Sequence, residues 1–509
     1  MIPKNLPEIL RNSAAKHPFH SAIVFGSKKI SYHSLNEITD QLAEGLISLG
    51  IKKQENIAIF LDNCPEFIIS YYAILKAGAV VVPVNYMFKI DEARHILRDS
   101  EAVAVITSAS YVSFVRDIRR DLPLFRHIFL TKDFHAIRRH HTDAIKQVSP
   151  EPNDQAVILY TSGTTGLPKG AVLSHYNLVS NATDSLEAIR ISHKDALICV
   201  LPLFHSFAAT VCMNTPILAG SKIVIMKSLK SFKRIIRAIR KNKVTVFPGI
   251  PSIFNILKDI KLPKIMQTPL IKVFNPVRIC ISGAAALPKQ TLKAFESKFR
   301  IPLLEGYGLT EASPVVTLNP LRGTRIAGSI GPPLSRNIEL KVVDDAGGEL
   351  GPEQIGELIV RGSNVMLGYF KQPETTKETI RNGWLYTGDM AKIDNKGYAY
   401  IVGRKKEMIN VRGQNVYPRE IEEVLHQNPR IKEAAVIGIE DIHKGEVPKA
   451  FVVLKEGEKA TEQEVIHYLR ERLAGYKIPK QVEFRNALPK NTTGKILKRV
   501  LTDEEKRGK

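Results

Sequence analysis

The chain has 509 residues, 44% of them apolar, and carries 73 Lys and Arg against 51 Asp and Glu, a formal net charge of +22. That length exceeds one ordinary core, so two or more domains are expected, and a normal globular composition excludes a disordered or fibrous chain. The longest apolar stretch, AILKAGAVVVPV, is broken by Lys76, Gly78 and Pro83 and falls short of a bilayer span.

Taken in order, the N-terminus MIPKNLPEILRNSAAKH has no apolar h-region and no small-residue cleavage site, which predicts no secretory signal. The helix-like SLNEITDQLAEGLISLG precedes the strand-like NIAIFL, and EFIISYYAILKAG precedes VVVPV. Such alternation, without a repeat period, predicts α/β layers. Further on, VVDDAGGELGPEQIGELIVRG reads as strand, Gly-rich turn, strand, a β-rich insert. From Arg404 the pattern restarts with EIEEVLHQNPRIKEAAVIGIED and KAFVVLKEG, a small α+β unit. The boundary is placed at GRKKE, giving a large multi-layer α/β domain over 1–403 and a small C-terminal domain over 404–509. Cys64, Cys199, Cys212 and Cys280 follow no CxxC or metal-like spacing, so a reduced, cytoplasmic protein is expected.

The strand-like AVILY runs into TSGTTGLPKG, residues 161–170. Backbone amides in a Gly, Ser and Thr loop can converge on phosphate oxygens, and a lysine adds charge. A Walker loop would open a helix after GK[ST], whereas Lys169 is followed by Gly170 and the strand-like AVLS. The expectation is a phosphate-binding loop carried on a hairpin.

The decapeptide resembles the phosphate-binding signature of the adenylate-forming superfamily, which comprises acyl-CoA synthetases, peptide-synthetase adenylation domains and luciferases. ISGAAALP, EGYGLTEASP, GWLYTGDM, GRKKEMI and PKNTTGKILKR resemble its further motifs in order, so the resemblance spans nearly the whole chain. It implies an ATP-dependent acyl-CoA synthetase similar to bacterial medium- or long-chain fatty-acid CoA ligases. A carboxylate would attack MgATP to give an acyl adenylate and pyrophosphate, and the CoA thiol would then displace AMP.

Residue by residue, the resemblance places Thr161, Ser162, Gly163, Thr164 and Gly166 on ATP, with Thr165 and Lys169 among the catalytic groups. Glu311 would hold Mg²⁺, and a carboxylate beside a triphosphate suits that task. Tyr307, between Gly306 and Gly308, would stack on adenine, its flanking glycines leaving the ring clear. Gly283, Ala284 and Ala285 would line the other side of the base, and Glu305 and Thr310 complete the nucleotide set. Asp389 and Arg404 would meet the ribose or phosphate, since a carboxylate can accept from two hydroxyls. Lys495 would stabilise the charge that develops between the acid and the α-phosphate. Because Lys495 lies near the C-terminus, the small domain must close over the large one. Lys405 would be the hinge of a rotation between half-reactions, and Gly413 would face the CoA tunnel.

Phe204, His205 and Gly308 would line the acyl pocket. His205 has two readings, a gate to the acyl tunnel or a packed structural histidine. Two departures from the family pattern stand out: Arg412 replaces one of two adjacent glycines, and Ala208 replaces a common glycine. The nearest rival is an acyl-AMP ligase that loads a carrier protein, although no extra insertion lies between Met390 and Arg404. Light-emitting oxidation and a non-catalytic binding protein are more distant rivals.

In KSLKSFKRIIRAIRKNK, residues 227–243, Phe232, Ile235, Ile236 and Ile239 fall on one helical stripe, with basic residues over much of the remainder. A solvated basic face on a packed helix is one account. Contact with an anionic membrane, making the protein peripheral there, or with an acidic carrier protein is the other. No nucleic-acid motif accompanies the charge, so no nucleic-acid partner is expected.

Overall fold

The structure is a computed structural model that describes residues 3–138, 148–161, 168–227, 232–260, 275–441, 445–490 and 494–507. Among these residues the strands form four sheets. One has the parallel strands Val80–Pro83, Asn56–Phe60, Ala104–Thr107 and His127–Leu130, extended past Val80–Pro83 by the antiparallel hairpin Gln155–Thr161 and Lys169–Ser174. A second runs from Val315–Leu318 through Leu303–Gly308, Ile279–Ser282, Val246–Gly249, Ala196–Cys199 and Lys222–Ile225 to the Ser21–Ser31 hairpin. Its central strands are parallel, with helices between them, as the alternating pattern predicts.

Apolar residues from both sheets join one core, with the helix Pro65–Lys76 at its centre. That helix starts with Pro65 in its first turn and buries every residue except Glu66, which explains an apolar pattern without a polar face. Lys76, the lysine interrupting the long apolar run, is 1% exposed and meets Asp40 Oδ1 at 2.7 Å and Asn36 Oδ1 at 2.8 Å. Burial pulls its ammonium down to about 8 in spite of Asp40.

The β-rich insert is an antiparallel sheet of Ile338–Val343, Gly356–Gly362, Trp384–Ile393, Ile380–Arg381 and Ala399–Arg404. The fourth sheet lies within residues 409–484 and packs against the helices Pro418–Gln427 and Glu462–Arg470. Its core of Val411, Ile421, Val436, Val452 and Leu469 is separate from the others.

The basic helix spans Phe232–Asn242, and the single apolar stripe expected for it does not hold. Ile235 is 1% exposed, whereas Ile236 is 44% exposed. At 100° per residue Ile236 stands about a quarter-turn from the Ile235 and Ile239 line, beyond what the sheet covers. The side chain of Phe232 lies outside the described residues. The four cysteines are free, three of them buried. No described helix is long and apolar enough to cross a membrane.

Candidate active site

The hairpin register sets Thr161 opposite Lys169, so both stand at the mouth of the loop and line a cavity of about 1050 Å³. The expected phosphate ligands Ser162, Gly163, Thr164, Thr165 and Gly166 lie outside the described residues. Lys169 Nζ sits 5.4 Å from the centroid of the Tyr369 ring. The carbonyl of the preceding Pro168 is 3.2 Å from His95 Nε2.

Two parallel strands end at the opposite wall, a position where ligands of open α/β sheets collect. Gly283 and Ala284 follow Ile279–Ser282 and line the cavity, whereas Ala285 does not. Ala284 has φ +68°, uncommon for a residue with a side chain. Gly306, Tyr307 and Gly308 end the next strand and line the cavity, followed by Thr310 and Glu311. The flanking glycines have a reason other than clearance for the Tyr307 ring. A Cβ on Gly308 would sit 2.0 Å from the Pro314 oxygen, and one on Gly306 2.9 Å from the Thr317 oxygen, so the neighbouring chain requires both.

Glu311 Oε1 accepts from the Tyr369 hydroxyl at 2.9 Å. Glu305 was expected at the nucleotide, but its side chain is absent from the cavity wall and 1% exposed. Its Oε1 accepts from Leu287 N at 3.1 Å and its Oε2 has no hydrogen-bond partner. Burial pushes the carboxyl up to about 7, against the pull of Arg419.

Asp389 and Arg404 are register partners on adjacent strands, and Arg404 Nε meets Asp389 Oδ1 at 2.7 Å. Tyr307 donates to Oδ2 at 2.5 Å. Asp389 is 3% exposed and stands behind the cavity wall, which Tyr307 and Arg404 form. Burial pushes its carboxyl above the usual carboxylate range, although Arg404, Tyr307 and Lys495 pull it down.

Lys495 lines the same cavity from the other end of the chain. Its surface opens on the cleft, yet protein surrounds it, and burial followed by the Arg404 charge lowers its pKa while Asp389 and Glu407 raise it. A Cβ on the preceding Gly494 would lie 2.8 Å from Ile250 Cδ1, so this segment seats closely on the large α/β body. Lys498 ties it down through Glu407 at 3.2 Å and Glu422 at 2.8 Å.

Phe204 and His205 line the cavity, where apolar wall comes from Val211, Ile281, Val315 and Leu318. Burial and the Lys495 charge bring His205 down to about 4, so it is neutral at pH 7. Its Nδ1 accepts from Phe207 N at 3.3 Å, which leaves the proton on Nε2. Ala208 is fully buried and off the cavity wall, so that departure from the family pattern touches the cavity only through its neighbours.

Lys405 is bound to Asp345 Oδ1 at 2.9 Å and Glu357 Oε2 at 3.0 Å. Arg412 and Gly413 form an exposed two-residue turn with φ of +51° and +82°, away from the cavity wall. Tyr369 escaped the sequence reading. It is 58 residues from Glu311 in sequence, and nothing local in GYFK marks it.

The AMP-binding enzyme family matches residues 10–370, and the AMP-binding enzyme C-terminal domain matches 420–495. A long-chain-fatty-acid–CoA ligase of Bacillus subtilis is 37% identical, over 99% of this chain and 95% of that protein. A feruloyl-CoA synthase of Amycolatopsis sp is 32% identical, over 95% of this chain and 96% of that one. ATP-bound MatB from Rhodopseudomonas palustris superposes with a TM-score of 0.92 at 32% identity, covering 99% of both chains. The chain therefore belongs to the AMP-binding enzyme family, as an adenylate-forming acyl- or aryl-CoA ligase.

Proposed function

We propose that the chain joins a fatty acid to CoA, with ATP converted to AMP and pyrophosphate through an acyl adenylate. The observation that carries this reading is the convergence of Lys495, Lys169, Tyr307 and Glu311 on one cavity whose wall includes Val211, Ile281, Val315 and Leu318. A cleft lined by cationic and carboxylate groups together with aliphatic side chains suits an acid with a hydrocarbon tail. The long-chain-fatty-acid–CoA ligases among its relatives support the same substrate class.

In this reading the Thr161–Lys169 hairpin mouth takes the phosphates and Tyr307 stacks on adenine. Asp389 sits too deep to line the cavity in this arrangement, so it acts on the ribose after Tyr307 yields its hydrogen bond, or else by holding Arg404. Lys495 stabilises charge as the carboxylate attacks the α-phosphate. Activation matters because a carboxylate is a poor acyl donor and its mixed anhydride with AMP a good one. Among the described residues no group of three or more His, Cys, Asp or Glu could hold a metal alone. Mg²⁺ commonly takes one or two carboxylates plus substrate phosphates, and Glu311 fits that part. Mg²⁺ would supply charge neutralisation of the triphosphate.

The segments 1–403 and 404–509 act as two domains. Lys405 is the hinge between them, and Gly413 approaches CoA after rotation. The Asp345 and Glu357 contacts of Lys405 would be remade in that step. We place the protein in the cytoplasm, touching anionic membrane through 227–243. The deciding experiment measures AMP and pyrophosphate release over a panel of straight-chain and aromatic acids, with and without CoA. Acid-dependent AMP release that turns over only with CoA is expected. Adenylate formation without CoA turnover would move the acceptor to a carrier protein, and no acid-dependent release would overturn the reading.

A further inference from the structure

Tyr369 connects two walls of the cavity. Its hydroxyl donates to Glu311 Oε1 at 2.9 Å, and its ring lies 5.4 Å from Lys169 Nζ. The backbone around it is fastened to the same two elements. Leu367 N and Phe370 N donate to the oxygens of Val172 and Gly170 on the hairpin, at 2.9 and 2.7 Å, while Met366 N donates to the Glu311 oxygen at 2.9 Å. Tyr369 N donates to Thr376 Oγ1 at 2.9 Å, so the residue is held independently of its side chain.

One neutral side chain thus meets a cation on one wall and a carboxylate on the other. A ring beneath an ammonium consumes none of its three hydrogen-bond donors. A phenol bound to one carboxylate oxygen leaves the second oxygen to bind elsewhere.

We propose that Tyr369 is a positioning residue for adenylation, its hydroxyl orienting Glu311 towards the cation of MgATP and its ring seating Lys169 for the phosphates. The inference rests on the ligase reading above. It makes a different demand on each half of the side chain, so two variants separate them.

The test is calorimetric titration of the full chain with ATP, once with Mg²⁺ and once with EDTA, beside ATP–pyrophosphate exchange and thioester formation from supplied acyl-AMP. Loss of one hydrogen bond to a charged group predicts that Tyr369→Phe weakens MgATP binding about tenfold. The same variant leaves ATP in EDTA and thioester formation unchanged. Tyr369→Leu, which also removes the seat of Lys169, weakens ATP with and without Mg²⁺. In a Glu311→Gln background the Tyr369→Phe loss disappears, because the two act as one unit. Wild-type MgATP affinity in Tyr369→Phe overturns the proposal, as does an equal loss in EDTA and in thioester formation. If Tyr369→Leu does not fold, the Tyr369→Phe and Glu311→Gln cycle decides alone. Absence of exchange in the wild-type chain with every acid removes the ligase reading, and this inference with it.

Discussion

Tyr307 and Asp389 share a 2.5 Å hydrogen bond in which the phenol donates to a carboxylate already bound by Arg404. The expected base-stacking ring and the expected ribose ligand therefore form one unit, with Asp389 buried behind the ring. Removing Asp389 leaves both a guanidinium and a phenol without their acceptor. Asp389→Ala is expected to cost about 2 kcal/mol, less than for a fully buried pair because Arg404 keeps 32% of its side-chain surface. Urea unfolding measures that cost, and AMP binding is expected to weaken about tenfold as the Tyr307 and Arg404 side chains lose their anchor. Unchanged AMP binding would reject both roles for Asp389.

Lys495 is separated from the rest of the cavity in sequence but joins it in space, and under the proposed reading its contribution belongs to adenylation. Lys495→Ala is expected to slow acid-dependent ATP–pyrophosphate exchange about a hundredfold or more, the scale of removing a preorganised charge from a developing one. Thioester formation from supplied acyl-AMP should stay within about twofold. Loss of both half-reactions in a folded variant would show that the lysine does something else.

What the sequence disclosed was local. TSGTTGLPKG between two apolar runs is readable as a hairpin-borne loop because strand, turn and strand are adjacent, and the register of Thr161 with Lys169 bears that out. Strands before and after GRKKE join different sheets, and Arg404 itself ends a strand paired with Asp389. Contacts made by folding were not legible: the Tyr369 hydroxyl reaches Glu311 across 58 residues, and the Tyr307 hydroxyl reaches Asp389 across 82. Glu305 shows the opposite failure. A motif placed it at the nucleotide, but the side chain of a strand residue points to one face or the other, and this one points into the core.

Glu305 makes stability depend on pH in a direction unusual for a carboxylate. Its pKa rises on folding from an ordinary 4.5 to about 7, so the native state holds a proton that the unfolded chain has released. Between these values stability falls as pH rises, by on the order of 3 kcal/mol in total, and above pH 7 the loss is complete. Glu305→Gln keeps an acceptor for Leu287 N and cannot ionise. Its melting temperature should exceed that of the parent at pH 8 and match it near pH 4.5. Equal pH dependence in the two chains would contradict a carboxyl held neutral by burial.

Gly308 tests whether close approach of the backbone, and not clearance for the ring, dictates the glycines around Tyr307. A methyl group there would lie 2.0 Å from the Pro314 oxygen, a backbone atom that cannot turn away. Gly308→Ala is expected to destabilise the chain by about 2 kcal/mol or more and to displace the turn that carries Glu311. Thermal unfolding reads the first effect, and a raised KM for MgATP the second. Wild-type stability would mean that the Val315–Leu318 strand can shift at little cost.

The basic helix offers the remaining prediction, since net charge alone does not distinguish a solvated face from a docking face. Lys233, Arg234 and Arg237 are exposed around Ile236, which keeps 44% of its surface, so an apolar side chain stands within a ring of cations. Near the end of the helix, Lys29 and Lys243 stand close enough to Lys222 for their like charges, after the larger effect of burial, to lower its pKa. Anionic lipid would relieve that repulsion, and the membrane is also where fatty acids partition. Each basic residue near such a surface contributes about 1 kcal/mol, so Arg234→Gln with Arg237→Gln should weaken binding to phosphatidylglycerol vesicles about thirtyfold. Binding should also fall as salt rises, and phosphatidylcholine vesicles should bind little. Co-sedimentation measures all three. Vesicle binding that ignores both substitutions would place the contact elsewhere on the chain, and no binding of the parent to phosphatidylglycerol would leave the helix as a solvated face.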